Sequence, residues 1–385
     1  MRKRFLVTLL TLLVMGGVTA VAVFLAKGYR VSPETGQISG TGILSITSIP
    51  DQASVYLDGH LTTATNANVN SLSPKTYDVK IVKEGFISWE KKVEVKQGLV
   101  TEVKATLFRA LPSVYPLTYT GAEKVTLSPD GQKIAYVIPL QEGTNPIAAK
   151  KSGVWVWQMS QQAINFARGA EQRQVAISGS GLDYSQADYR WSPDSSQLLV
   201  SFPDRQLLLD ASRLNDPPRD ITAVLQSTLR SWDEDQKNKD LNRLQLIRDV
   251  NLRQIASSAA QLKWSPDESK ILYAQKGSYK VVDLVSKKSY DMPQASFYAW
   301  MPDSDHLVLS EMAAQSQGGD KKQGALLPGK ISIIEYDGAN RAEVYAGNFD
   351  PQSVVVWPDG TRLVIVSAFQ TVTASQPNLY GISLR

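Results

Sequence analysis

The sequence predicts an all-β fold in which an N-terminal transmembrane helix precedes a small β-sandwich and a β-propeller. Three observations support this prediction. A proline–aspartate turn followed by an apolar strand occurs five times between residues 127 and 368. Apolar and polar residues alternate between residues 43 and 107, and residues 5–26 contain no charged side chain. Alternation with a period of two indicates half-buried strands, whereas a long uncharged run is typical of a membrane-spanning helix.

The uncharged run is long enough to cross a bilayer as a helix. Its 22 residues would extend about 33 Å at about 1.5 Å per residue. Arg2, Lys3 and Arg4 precede the run, so the positive-inside tendency places the N-terminus in the cytoplasm and the bulk of the chain outside it. A cleaved signal peptide is the alternative, although its apolar region is usually only about 7–15 residues. We predict that residues 1–30 are a cytoplasmic tip and an uncleaved anchor in the cell membrane.

Composition excludes several classes of function. The first thirty residues hold five basic residues and no acidic one, whereas the whole chain has a formal net charge of +4, so the remainder is close to neutral. A neutral body lacks the basic surface that phosphate binding requires, so we expect no nucleic-acid partner. The chain has no cysteine and only two histidines, His60 and His306. These counts exclude disulfides, thiolate sites and a histidine-rich metal centre, and we predict no cofactor.

Residues 31–42 are rich in Ser, Pro, Gly and Thr and predict a linker. Strands are then predicted from Ile43 and from Ser54, and the second one ends at the hairpin-type turn Asp58–Gly59. Further strands follow, and we predict that residues 43–110 form an antiparallel β-sandwich.

Residues 43–107 resemble a PEGA domain, a small surface-associated β-sandwich module. The resemblance is carried by a valine–tyrosine–leucine–aspartate–glycine element at residues 55–59 and a glycine–aromatic element that begins at Gly85. The positions that match the family are Pro50, Ala53, Val55, Asp58, Gly59, Gly85, Phe86 and Trp89. The eponymous tetrad of the family is kept at its first and last positions but altered between them, since residues 50–53 read Pro-Asp-Gln-Ala, and the sequence departs from the family again at residues 62–66. Tyr56, Phe86 and Trp89 have two interpretations, a sugar-stacking platform or core packing, and we favour core packing.

The five repeated turns share one chemistry. Proline pre-sets φ at the first corner, aspartate can accept a hydrogen bond from the backbone two residues later, and a small residue follows. The turn residues are Pro129 and Asp130, Pro193 and Asp194, Pro266 and Asp267, Pro302 and Asp303, and Pro358 and Asp359. A functional ring of carboxylates is one hypothesis for these aspartates. Hydrogen bonds that stabilise the turns are the interpretation we favour.

Repetition of strand, turn and strand predicts a propeller of antiparallel blades over residues 111–385. We count five blades, with a sixth, unmarked blade within residues 140–178 as the alternative. The last blade is one strand short, and a strand within residues 114–120 could complete it and close the ring. The repeat resembles that of TolB-like propellers, most closely at residues 191–194 and 264–267, which read Trp-Ser-Pro-Asp. We expect the tryptophans before the turns to pack between blades.

Residues 221–258 interrupt the β pattern. Apolar residues at helical spacing, among them Leu225, Leu229 and Trp232, predict an insertion of one or two helices between blades two and three. The insertion could cap a propeller face, offer a partner surface or only pack on the rim. Residues 311–330 are polar and glycine-rich and predict a mobile loop.

The motifs of common catalytic sites are absent from the sequence. There is no Gly-x-Ser-x-Gly elbow and no phosphate-binding glycine loop, and nothing selects a pair of catalytic carboxylates. We predict a non-enzymatic, membrane-anchored extracytoplasmic protein of the cell envelope whose propeller binds an envelope protein or polysaccharide. The alternative is a propeller-type hydrolase or lyase that acts on extracellular glycans or peptides, for which a deep pocket with converging carboxylates would be expected.

Overall fold

The computed structural model describes residues 2–26, 29–31, 38–140, 149–159, 172–179, 181–275, 277–313, 326–369 and 376–385. The chain divides into two compact units, Met1–Ala110 and Leu111–Arg385.

The first unit begins with helix α1 (Arg2–Ala26). Within the part of the chain that the structure describes, no helix is both long enough and apolar enough to span a membrane. Part of the predicted linker forms an antiparallel pair of short strands, β1 (Tyr29–Val31) and β2 (Ile38–Gly40). The predicted linker over residues 31–42 therefore takes part in a strand pair, which satisfies backbone groups that an extended chain leaves to water. Residues 32–37 lie outside the described residues.

Two sheets that share one core form the rest of the first unit. The three-stranded sheet has the order β6 (Ala67–Leu72), β3 (Gly42–Ile49) and β9 (Val100–Thr106), and the four-stranded sheet has the order β5 (His60–Ala64), β4 (Ser54–Leu57), β7 (Thr76–Val82) and β8 (Trp89–Glu94). Burial alternates along β3 and β7, as the sequence pattern predicts. The buried sides meet in a core that includes Leu44, Ile46, Val79 and Ile81.

Two features of the sandwich differ from the prediction. Strands β5 and β6 were not predicted. The residues of β5 are mostly exposed, and the alternation in β6 is short and places only the half-buried Ala67 and Val69 between asparagines. Strands β3 and β9 pair in parallel, which corrects the prediction of a purely antiparallel sandwich. Because β3 opens the sandwich and β9 closes it, the intervening chain crosses to the other sheet and returns, and this crossover permits parallel pairing.

The second unit contains, among its described residues, five four-stranded antiparallel sheets, which confirms the predicted count of five blades. Blade one contains β11 (Glu123–Leu127), β12 (Lys133–Ile138), β13 (Gly153–Gln158) and β14 (Gln172–Ile177). Blade two contains β15 (Asp188–Trp191), β16 (Gln197–Ser201), β17 (Gln206–Asp210) and β18 (Arg219–Asp220). Blade three contains β19 (Ala260–Trp264), β20 (Lys270–Gln275), β21 (Ser278–Asp283) and β22 (Ser289–Met292). Blade four contains β23 (Phe297–Trp300), β24 (His306–Met312), β25 (Leu327–Glu335) and β26 (Ala342–Phe349).

Blade five contains β27 (Val355–Val356), β28 (Arg362–Ser367), β29 (Asn378–Ser383) and, as its outermost strand, β10 (Val114–Pro116). Strand β10 pairs antiparallel with β29, so the earliest strand of the unit completes the last blade, as predicted. This pairing covers an edge that would otherwise expose unpaired backbone groups. The described parts of residues 140–178 belong to blade one, where a sixth blade was the alternative.

Two helices lie between blades two and three in the chain, α2 (Leu225–Leu246) and α3 (Val250–Ser258), as predicted. Short 3-10 turns occur at Tyr184–Gln186 and Thr222–Val224. Residues 314–325, the centre of the predicted mobile loop, lie outside the described residues.

Each helix covers one face of a blade. Leu199 and Leu208 of blade two pack with Trp232 of α2. Ile271 and Tyr273 of blade three pack in a cluster that includes residues of α3. The opposite faces of these two blades pack against blades one and four. The helices therefore occupy the position in the ring where blades two and three would otherwise stack directly.

Candidate functional site

The five aspartates of the repeated turns make the same local hydrogen bond. In each turn a carboxylate oxygen accepts from the backbone N–H two residues later, at donor–oxygen distances of 2.8–3.1 Å, in Asp130, Asp194, Asp267, Asp303 and Asp359. In the Ser-Pro-Asp turns the serine hydroxyl also donates to the carboxylate, at 2.5–2.6 Å. The prolines Pro129, Pro193, Pro266, Pro302 and Pro358 precede them at the corner. The geometry of these carboxylates is that of turn stabilisation.

The residue after each aspartate has a positive φ, between 58° and 68°, at Gly131, Ser195, Glu268, Ser304 and Gly360. Two of these residues join neighbouring blades. The Oγ of Ser195 accepts from the N–H of Asp130, and the Oγ of Ser304 accepts from the N–H of Asp267, both at 3.1 Å. Sequence reasoning treated this position only as a small polar residue that tolerates the turn, and it did not identify the contact between blades.

Blade three differs at this position because a helix precedes it in the ring. Glu268 forms an ion pair with Arg243 of α2 at 2.9 Å. On the side of the helix that faces blade two, the Nζ of Lys239 donates to the backbone oxygen of Pro193 in the blade-two turn at 2.7 Å. Helix α2 therefore contacts the turns of both blades that flank it.

Tryptophans before the turns pack in two ways. The indole N–H of Trp191 donates to Thr126 in blade one at 3.4 Å, and that of Trp300 donates to Lys263 in blade three at 3.1 Å, so both join neighbouring blades as expected. Trp264 is an exception. It packs in the cluster formed by blade three and the helices, because the helices replace the neighbouring blade on that side.

A cavity of about 910 Å³ lies within the second unit. Its walls come from the first strands of blades one, three, four and five and from both helices, with Val125, Leu262, Phe297, Val355, Leu244 and Ala256 among the apolar lining residues. Cavities of about 300–1,000 Å³ with apolar walls and few polar groups are typical of ligand sites. The predicted insertion thus forms part of the wall of the cavity.

Lys263 is the most unusual polar residue of this cavity. Its Nζ donates to the backbone oxygen of Tyr298 at 2.5 Å and lies 4.7 Å from the centre of the Phe297 ring. Burial lowers the pKa of its ammonium group. Among the described residues, Lys263 forms no ion pair, so its charge is balanced only by the carbonyl dipole and the ring face.

The other charged residues of the cavity wall have partners within the chain. Asp130 accepts from Ser128 and Gln132, and Asp240 accepts from the side-chain amide of Gln236 at 3.0 Å. Among the described residues, no group of three or more His, Asp or Glu side chains could hold a metal ion.

His306 lies outside this cavity wall and is buried, with 4% of its surface exposed. Its Nδ1 lies 2.8 Å from a carboxylate oxygen of Asp303. Burial alone would raise the pKa of Asp303, but the hydrogen bond and charge of His306 outweigh burial and lower it. The pair therefore stabilises the blade-four turn.

The residues that carry the resemblance in the first unit are structural. Asp58 accepts from the N–H of Asp78 at 2.9 Å and pairs with Lys75 at 2.7 Å, which anchors the hairpin. Gly59 and Gly85 have φ values of 81° and 80°, which favour glycine. The backbone oxygen of Pro50 accepts a hydrogen bond from the buried Ser48 hydroxyl. Ala53, Val55 and Trp89 are buried in the core, and Phe86 packs against that core. Core packing is thus the role of Phe86 and Trp89.

The comparison with protein families agrees with this geometry. Residues 41–110 match the family model of the PEGA domain. This PEGA segment covers both sheets of the sandwich and confirms the resemblance seen in the sequence. No curated protein matches the chain.

Solved structures with similarity to the chain include a TolB protein, a β-propeller domain and a lyase. TolB from Acinetobacter baumannii is 12% identical, with 80% of this chain and 60% of that chain covered and a TM-score of 0.24. The β-propeller domain of the Trilobed protease from Pyrococcus furiosus is 14% identical, with coverages of 70% and 72% and a TM-score of 0.24. An oligogalacturonate lyase in complex with manganese is 12% identical, with coverages of 93% and 96% and a TM-score of 0.24. The chain thus spans 60% of the length of the TolB protein.

Proposed function

We propose that this protein is a membrane-anchored, extracytoplasmic binding or scaffold protein of the cell envelope. Helix α1 is the anchor, the PEGA segment is a spacer or envelope-binding module, and the propeller carries the principal binding site. The partner is an envelope protein or polysaccharide.

The observation that carries this proposal is the cavity of about 910 Å³ in the second unit. Four blades and two helices supply most of its walls, and the repeated turns of blades one and three supply part of the rest. Rigid walls bind with a low entropic cost, because little ordering is needed on association. The wall combines apolar residues with polar ones, and polar groups at fixed positions can orient a specific ligand.

The exposed apolar side chains of α1 support the anchor. Leu10, Leu13 and Met15 are 63%, 67% and 68% exposed, and residues 7–23 are apolar except for three threonines and two glycines. Exposed apolar side chains of this kind are unfavourable in water and are stabilised in an apolar environment such as lipid.

Retention of envelope components tests the binding function. The full-length chain is immobilised in detergent and incubated with solubilised envelope fractions, beside two variants. Leu127→Arg places a charge on the cavity wall at a residue 40% exposed, and Leu61→Arg places the same charge on the PEGA segment at a residue 65% exposed. We expect one component to be retained by the natural chain and by Leu61→Arg but lost with Leu127→Arg. Equal retention by all three proteins would contradict a propeller site, and release of shortened glycans or peptides would favour the hydrolase or lyase alternative.

Alkaline carbonate extraction of membranes tests the anchor. We expect the natural chain to stay with the membrane pellet and Leu13→Arg to be released in part, because a charge within the apolar segment costs about 2.5–3.5 kcal/mol. Leu241→Arg, at an exposed position of α2, is the control and should stay in the pellet. Extraction of the natural chain into the supernatant would contradict the anchor.

A further inference from the structure

We propose that the cavity binds the carboxylate of a small organic anion through Lys263, with the apolar part of the ligand against the neighbouring walls. This proposal rests on the proposed function and names the ligand class of the same site. The chemistry is an ammonium–carboxylate contact in a partly desolvated cavity whose wall carries both apolar and polar residues.

The position of Lys263 is the first argument. It lies on β19 between Leu262 and Trp264, and all three residues line the cavity. Its Nζ contacts Tyr298 and the Phe297 ring, which line the same cavity. An ammonium group has three N–H donors, and the structure gives one of them an acceptor, the Tyr298 carbonyl, so donors remain for a ligand.

The balance of charge within the cavity wall is the second argument. Arg243, the other cation of the wall, is paired with Glu268 at 2.9 Å. Asp130 and Asp240 accept hydrogen bonds from their own turn or helix. In the described part of the chain, Lys263 is therefore the cation of this wall that has no carboxylate partner. A half-buried charge without a counter-ion is costly, and an anionic ligand would remove that cost.

The depressed pKa of Lys263 agrees with this picture, because burial removes water from its ammonium group. A bound carboxylate would favour the charged form and raise the pKa again. The apolar residues beside it, Val125, Leu262 and Val355, suit an aliphatic or aromatic ligand body. The volume of about 910 Å³ accommodates a molecule the size of a short peptide or a substituted aromatic acid.

Calorimetry with 4-phenylbutyrate and its neutral analogue 4-phenylbutyramide tests the proposal on the full-length chain. We expect the acid to bind the natural protein and to bind Lys263→Gln at least about tenfold more weakly, which corresponds to the loss of one charge-assisted hydrogen bond. The amide should bind both proteins equally and weakly. Binding of the acid should also decline as pH rises toward the pKa of Lys263, and Lys263→Gln should show no such decline.

Lys280→Gln is the matched control, because Lys280 lies on blade three but pairs with Asp291 at 2.7 Å and is absent from the cavity wall. It should bind the acid like the natural protein. Glutamine at position 263 can still donate to Tyr298, so a purely structural role would leave the unfolding temperature and acid binding nearly unchanged. Unchanged acid binding by Lys263→Gln, or no binding of the acid to the natural protein, would overturn the proposal. Inorganic phosphate that bound through Lys263 in place of the acid would overturn the carboxylate assignment.

The two proposals fail separately. Loss of envelope retention in Leu127→Arg with no acid binding would leave the cavity as a binding site and exclude the Lys263 anion site. Acid binding that depends on Lys263 without any retained envelope component would support the anion site and contradict the envelope partner.

Discussion

The backbone N–H of Asp267 donates to the Oγ of Ser304 across 3.1 Å, which joins the repeated turn of blade three to that of blade four. Asp130 and Ser195 make the same contact between blades one and two. Both serines are buried and have a φ of 61°, a conformation that is uncommon outside glycine. The repeated turn thus has two functions, to reverse the chain within a blade and to hold the next blade in place.

Loss of this contact should destabilise the propeller. Ser304→Ala removes the acceptor of the Asp267 N–H, and we expect the free energy of unfolding to fall by about 1 kcal/mol because a part-buried hydrogen bond between blades is lost. Chemical denaturation measures the change. Ser286→Ala, an exposed serine on blade three, should differ from the natural protein by less than about 0.5 kcal/mol. Equal stability of the two variants would show that the contact contributes nothing.

The carboxylate of Asp267 should make stability depend on pH in acid. Burial alone would raise its pKa, but hydrogen bonds from Ser265 and Ser269 outweigh burial and lower the pKa to about 2. Because the folded-state pKa lies below the ordinary value of 3.8, this stabilisation is complete above that value and is lost as pH falls toward 2. The residue is exposed, so solvent screening limits the effect to about 1 kcal/mol.

Asp267→Asn removes this titration. We expect its free energy of unfolding at pH 7 to be about 1 kcal/mol lower than that of the natural protein, and this difference should shrink between pH 4 and pH 2. Asp235→Asn, at an exposed carboxylate of α2, serves as the control. A difference that stays constant over this pH range would contradict the assignment.

Trp232 should hold α2 against blade two. It is 7% exposed and packs with Leu199 and Leu208. Trp232→Ala should cost about 3–5 kcal/mol, because it removes a large buried side chain and leaves a cavity. Limited proteolysis should then cleave within α2 before the blades are cut. Leu241→Ala, at a residue 46% exposed on the same helix, should leave both the stability and the cleavage pattern nearly unchanged.

Gly381 should be required for closure of the ring. It pairs with Tyr115 of β10, and a Cβ at position 381 would lie 2.6 Å from the Tyr115 ring. We therefore expect Gly381→Ala to displace β10 and to lower the unfolding temperature by several degrees, with more self-association through the freed edge of β29. Scanning calorimetry and light scattering measure these effects.

The double variant Gly381→Ala with Tyr115→Ala provides the control for that prediction. Removal of the Tyr115 side chain makes room for the new methyl group at position 381. The loss of stability in the double variant should therefore be smaller than the sum of the losses in the two single variants. Additive behaviour would show that the tyrosine ring and the glycine are not coupled.

Local patterns in the sequence were sufficient to predict most elements of the fold. The turn chemistry of residues such as Pro193 and Asp194 depends on neighbours within five positions, so the five repeats and the blade count follow from it. Period-two alternation likewise predicted β3 and β4, and helical spacing predicted α2 and α3. Edge strands β5 and β6 escaped prediction, because β5 is mostly exposed and carries no hydrophobic alternation, and the alternation in β6 covers only a few half-buried residues.

The sequence by itself determined where most strands of this protein end, where the chain turns, and where helices interrupt the strands. Only the tertiary structure decided which residues meet across that order. Ser304 contacts Asp267, which lies in the turn of the neighbouring blade. Trp264 packs against helices because helices occupy the next position in the ring, and Lys263 lies on a cavity wall to which segments far apart in the chain contribute. Contacts of this kind arise from the closure of the ring, which no short stretch of sequence records.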